Sequence, residues 1–193
     1  NKKVATVKKY HTNQKDEQLL LKQKTEFFLV NSRKDAINKG INQNFDYLIF
    51  DDGLQETKVD FDIKFVCFKS KNWIGNGWLI PAGPMREKIS SLKKYDVVFL
   101  NGNSSNLDEI ENQIRNINSN IRIFRTLYKA LNIEKHDLKS KYLIFSGIGN
   151  PSDFKNILLE NNFKIAKELQ FPDHYDYNLS DFKKINEYAK KES

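Results

Sequence analysis

Two carboxylates close a short apolar run, Tyr47-Leu48-Ile49-Phe50-Asp51-Asp52, and Gly53 follows them. The run reads as a strand. In a parallel sheet, ligands gather beyond the carboxyl ends of the strands. An Asp placed there can hold Mg2+ directly or through its water shell, as in a Walker B strand. Neighbouring side chains of a strand point to opposite faces. Asp51 and Asp52 can therefore serve one ion only if the backbone turns here, and Gly53 permits a turn. The same residues also suit a strand-to-turn junction in which Asp satisfies backbone donors. The chain contains no Gly-x-x-x-x-Gly-Lys-Ser/Thr, so the strand end has no phosphate loop beside it in this sequence.

A second segment, Gly75 to Glu87, holds Gly75, Gly77, Gly83, Pro81 and Pro84. That density of Gly and Pro precludes a regular helix and restricts the backbone. The expected product is a shaped loop displaying Trp73, Trp78, Arg86 and Glu87. Arg86 can fork onto a phosphate. Glu87 can orient a metal-bound water or pair with a Lys. A rigid surface loop with a solvated Arg-Glu pair is the plainer alternative.

Two further residues gain meaning only from context. Asp16 and Glu17 open a helix-like stretch, where acids suit the helix dipole. His174 lies in Phe171-Pro172-Asp173-His174-Tyr175, a loop-like run.

Together these segments resemble the tetraacyldisaccharide 4'-kinase family of lipid A synthesis. The resemblance rests on Asp51-Asp52-Gly53-Leu54-Gln55, then Gly75-Asn76-Gly77, then Pro81-Ala82-Gly83-Pro84-Met85-Arg86-Glu87, then Asp96 to Gly102, in order and at family spacing. Upstream, His11 to Leu21 is similar to the family's Gly-Asp-Glu-Pro segment. Downstream, Gly147-Ile148-Gly149-Asn150-Pro151 and Phe171 to Tyr175 are similar to its second-lobe motifs. Departures exist. Glu56 replaces a frequent His, Lys69 a usual Asp, and Lys15 and Gln18 the Gly and Pro around Asp16-Glu17.

The resemblance implies transfer of the γ-phosphate of ATP to the 4'-hydroxyl of a diglucosamine lipid, a lipid A disaccharide precursor. It implies Asp16 as general base, with His174 holding and tuning it or sharing the proton. Asp51 and Asp52 become the Mg2+ ligands, with Glu17 and Glu87 as further candidates. Arg86 and Gln55 become nucleotide or substrate contacts. It implies a P-loop NTPase-like fold, work at the cytoplasmic face of a bacterial inner membrane, and contact with that anionic surface. The family's phosphate loop is expected upstream of Asn1, so these 193 residues alone are expected to be inactive.

The elements that must position these residues alternate. Strands are expected at Glu26–Val30, Tyr47–Phe50, Ile63–Phe68, Asp96–Leu100, Ile121–Tyr128, Tyr142–Phe145 and Phe163–Leu169. Helices are expected from Ser32 as cap to Gly40 as stop, from Leu107 to Ile117, from Asn150 and Pro151 to Glu160, and after Ser180. Such alternation predicts an α/β fold, a mostly parallel sheet with helices on both faces. The polar stretch 129–141 is the expected linker between a body at 1–128 and a smaller lobe at 142–193, with a cleft between the lobes. Asp16 and His174 would then meet when the lobes close.

The bulk numbers set limits. Of the 193 residues 39% are apolar and 30% charged, which suits a globular chain rather than a disordered one. A net charge of +7 favours anionic partners. A basic nucleic-acid-binding module is the rival class, but no nucleic-acid motif or compact basic-aromatic stripe supports it, so no nucleic acid is expected. One cysteine excludes an internal disulfide and a thiolate zinc site. Cys67, in an apolar run, is expected to be buried. No apolar run reaches the roughly 18 residues of a membrane-spanning helix.

Overall fold

The computed structural model describes residues 2–11 and 14–192. Its strands are all parallel and helices interleave with them, so the α/β class holds. They pair as three separate sheets, two of them within residues 1–128, where one sheet is expected. By compactness the chain groups into two units, Asn1–Val59 with Ala130–Ser193, and Asp60–Lys129. This grouping cuts the chain at other places than 128 and 141.

The first unit opens on β1 (Val4–Lys9), a strand not foreseen from sequence, which runs through α1 (Lys15–Lys24) into β2 (Glu26–Val30). α2 (Arg33–Asn42) and β3 (Tyr47–Phe50) follow. β1 is the central strand, in the order β2-β1-β3. Its face carrying Ala5 and Val7 packs with Phe28 and with Ala36 of α2, the core of this sheet. Its other face carries Thr6 and Lys8, both buried. β1 escaped notice because Lys2, Lys3, Lys8 and Lys9 flank only four apolar or β-branched residues, which reads as a basic solvated end.

Gly40 does not stop α2. The helix continues to Asn42, and Gln43 caps it. Gly40 is buried inside, where a Cβ would come within 2.7 Å of Leu48, so its small size serves helix-to-strand packing. The left-handed residue that ends this connection is Asn44, at φ 54°.

The same unit holds β7 (Lys141–Ser146), α4 (Pro151–Glu160), β8 (Lys164–Gln170) and α5 (Leu179–Glu192). β7 and β8 pair in parallel around α4. Asn150 caps α4 as expected: its Oδ1 accepts from the Asp153 N–H at 3.2 Å, and Pro151 takes the first helical position.

The second unit is the sheet β4-β5-β6, from Phe65–Lys69, Val97–Asn101 and Arg122–Thr126, with α3 at Leu107–Ile117. Leu92, Val98, Leu100, Ile110, Ile114 and Ile121 form its core. Side chains alternate across β4, so Val66 and Phe68 join that core while Cys67 faces the opposite side. Cys67 is thus exposed, contrary to expectation, beside a stacked row of Phe65, Phe99 and Phe124. The Gly75–Glu87 loop is stiff as expected. Within it the chain doubles back, with Ile80 N–H donating to Met85 O at 2.9 Å and Asn76 Nδ2 to Ala82 O at 2.9 Å. The Ile80–Pro81 peptide is cis.

Candidate functional site

The first unit assembles a site from four stretches of chain. α1 begins with Asp16 and Glu17 in its first turn, where the dipole favours acids. The Gln18 side chain steadies this start by donating to the His11 carbonyl at 2.7 Å. From the other end of the chain, the loop after β8 brings His174. Its Nδ1–H donates to both carboxylate oxygens of Asp16, each at 3.0 Å. His174 Nε2 stands 3.9 Å from Glu17 Oε1 and from Asp173 Oδ2.

His174 is held by its backbone. It sits in the left-handed region at φ 55°, and its N–H donates to the Gly147 carbonyl at 3.1 Å. Gly147 ends β7 and lets that loop approach: a Cβ there would lie 3.0 Å from the Tyr175 Cβ and 3.1 Å from the Pro172 carbonyl. Beyond, Tyr175 Oη donates to Asp181 Oδ2 at 3.2 Å, and Asp181 also accepts from the Asn178 N–H at 3.0 Å. The Asn178 side chain in turn accepts from the Ser180 and Asp181 N–H groups, a reciprocal cap on α5. The sequence reading divides Asp16 and His174 between two lobes. In the structure both lie in one compact unit, and their pair is already made.

Electrostatics follow the geometry. The Asp16 bond raises the His174 pKa above its ordinary 6.5 against a burial effect, with the Asp173 and Glu17 charges adding to it. Burial pushes the Asp16 carboxyl up, but His174 and nearby backbone N–H groups outweigh it, and Asp16 falls below 3.8. The side chain of Asp16 is 62% exposed, so its carboxylate is open to solvent.

The other carboxylate pair is joined by a residue that sequence reasoning missed. Lys8, on β1, donates to Glu17 Oε2 at 2.7 Å and to Asp51 Oδ2 at 2.5 Å. Burial opposes its charge, yet Asp51 and Glu17 prevail and its pKa rises above 10.5. The available signal was a polar residue directly after Val4-Ala5-Thr6-Val7, visible only once that run is read as a strand.

Asp51 extends β3, its N–H donating to the Val7 carbonyl at 2.8 Å. The turn expected at Gly53 is made by Asp52 itself, at φ 52°. Arg33 of α2 braces it, donating to the Asp52 carbonyl at 2.7 Å and pairing with Glu56 at 3.6 Å. The departure at Glu56 therefore has a structural partner. Gln55 is exposed in the same turn region. Arg86 and Glu87 belong to the second unit, where Glu87 accepts from Tyr95 Oη at 3.0 Å. Burial, then Glu87, push the Tyr95 hydroxyl up to about 12.

Among the described residues no group of three or more His, Cys, Asp or Glu could cage a metal. The donors present are hard carboxylate oxygens on two elements. That suits Mg2+, which is held by one or two carboxylates together with substrate phosphates and waters.

Parallel strands, one of them running into Asp51 and Asp52, and an imidazole-carboxylate pair in the same unit define an α/β protein with groups able to handle a proton and a hard cation. Comparison with known proteins places it further. The model of the LpxK family, tetraacyldisaccharide-1-P 4'-kinase, matches residues 2–193, and the chain belongs to that family. It is 46% identical over 191 residues to the tetraacyldisaccharide 4'-kinase of Pelagibacter ubique (strain HTCC1062), covering 99% of this chain and 61% of that protein. It is 31% identical over 180 residues to the enzyme of the same name from Haemophilus influenzae (strain 86-028NP), covering 89% of this chain and 51% of that one. The chain thus spans less than two-thirds of the length of these curated relatives. No solved structure matches it. No helix among the described residues is long and apolar enough to cross a membrane.

Proposed function

We propose that this chain carries the proton-handling and metal-handling part of an ATP-dependent kinase acting on the 4'-hydroxyl of a tetraacyl diglucosamine 1-phosphate, the lipid A disaccharide precursor. The observation that carries the reading is the Asp16–His174 pair, with Nδ1 3.0 Å from both carboxylate oxygens. A sugar hydroxyl is a weak nucleophile at neutral pH and needs a base. Asp16, exposed and kept ionised by His174, takes the hydroxyl proton as the 4'-oxygen bonds to the γ-phosphorus. The bond from that phosphorus to the β,γ-bridging oxygen breaks, and ADP leaves with the electron pair. His174 holds Asp16 in place and stabilises its charge until the proton arrives.

Glu17 and Asp51 are the residues of the first unit that would hold Mg2+, with Asp52 as a further candidate there; Glu87 is proposed separately, as an acid of the second unit able to orient a metal-bound water. The bound ion would neutralise charge on the transferring phosphates. Arg86 and Gln55 are proposed contacts to nucleotide or lipid. The P-loop NTPase-like fold and work at the cytoplasmic face of an inner membrane belong to the same proposal.

Kinetics of D16N and H174N in the complete gene product test it. Loss of a general base should lower kcat about 10²- to 10⁴-fold, with KM for ATP little changed. Full turnover by D16N would remove Asp16 from the mechanism.

A further inference from the structure

We propose that Lys8 is a positioning residue for this reaction: its ammonium holds one oxygen of Glu17 and one of Asp51, and so presents their other oxygens to a divalent cation. The inference rests on the metal assignment just made. Glu17 comes from the first turn of α1 and Asp51 from the end of β3, two elements separated by β2 and α2 in the chain. Lys8 lies on β1, the strand that pairs directly with β3 and leads into α1.

The geometry is specific. Nζ reaches Oε2 of Glu17 and Oδ2 of Asp51, so the oxygens Lys8 does not take are Oδ1 of Asp51 and Oε1 of Glu17, the latter 3.9 Å from His174 Nε2. The side chain of Lys8 is 6% exposed, whereas Glu17 and Asp51 are 43% and 42% exposed. The cation is thus fixed inside and the acids open outward. A lysine on a surface loses rotamer entropy whenever it pairs with an acid. A lysine already ordered in a sheet has lost that freedom on folding, so the two acids stay aligned before any ion arrives.

Charge alone predicts the opposite behaviour. If Lys8 acted only as a nearby positive charge, it would repel the cation, and removing it would tighten metal binding. If it aligns the ligands, removing it loosens metal binding. Loss of a group that orients metal ligands typically costs about 10- to 100-fold in affinity. The sign of the change therefore decides.

The probe is Mn2+, titrated into the complete gene product and followed by electron paramagnetic resonance, for wild type, K8M, K8Q and D51N. Wild type should bind, D51N should lose affinity, and K8M should bind about 10-fold more weakly. Should a thermal melt show K8M unfolded, K8Q, neutral but able to donate, is read in its place and should weaken binding in the same direction. Equal or tighter binding by the Lys8 variants, with D51N impaired, overturns the positioning role and leaves the metal assignment standing. No Mn2+ bound by wild type, or none lost in D51N, overturns the metal assignment and this inference with it.

Discussion

The ion pair between His174 and Asp16 requires both to be charged, so its linkage to pH has two edges. The folded pKa of His174 lies above 6.5, so its contribution is complete below 6.5 and disappears as pH rises through the raised value. The folded pKa of Asp16 lies below 3.8, so its contribution is complete above 3.8 and disappears as pH falls through the lowered value. The pair therefore contributes fully between 3.8 and 6.5. An NMR titration of the His174 ring should give a midpoint above 6.5 in wild type and a lower one in D16N. Identical midpoints would mean that Asp16 does not govern this imidazole.

Caps and alternation made most elements legible. Asn150 and Pro151 announced α4, and the structure shows the side-chain cap they imply. N150A should lower stability by about 1 kcal/mol, as loss of an N-cap does, while N150D keeps most of it. Thermal melts of the two variants check this, and equal melting temperatures would mean that the Pro151 start suffices. The Asp16–His174 pair was legible through family likeness, since the two residues lie 158 positions apart and no spacing rule joins them. β1 and Lys8 were not legible, because lysines on both sides hid four strand residues. Gly40 misled for a different reason. A glycine at a helix end and a glycine under a packed strand look the same in sequence, and only the nearness of Leu48 separates them.

At the scale of the molecule, charge is the property that acts at a distance. A net charge of +7 favours anionic partners, and the proposed substrate is a lipid. Co-sedimentation with vesicles rich in phosphatidylglycerol should retain the complete gene product at low salt and release it as ionic strength rises, since screening shortens to about 8 Å at 0.15 M. Equal retention on neutral vesicles would place the attraction in apolar contacts instead, for which Trp78 at 65% exposure is a ready candidate. The family is fixed by a match along residues 2–193. The two compact units divide the labour proposed above: the first holds the proton pair and Lys8, the second the stiff loop with Arg86 and Glu87.

A strand admits no half-step, because moving it by one residue exchanges its two faces. Sliding β1 so that Lys9 met Glu17 and Asp51 would drive Lys8 into the place of Val7, against Phe28 and Ala36. An ammonium among those side chains would lose water and gain no acid. The two carboxylates around Lys8 thus act as a key for strand alignment, and the alignment that completes the sheet is the one that brings Lys8 to them. Chemistry and assembly are read from the same residue, so a change at Lys8 is felt in both.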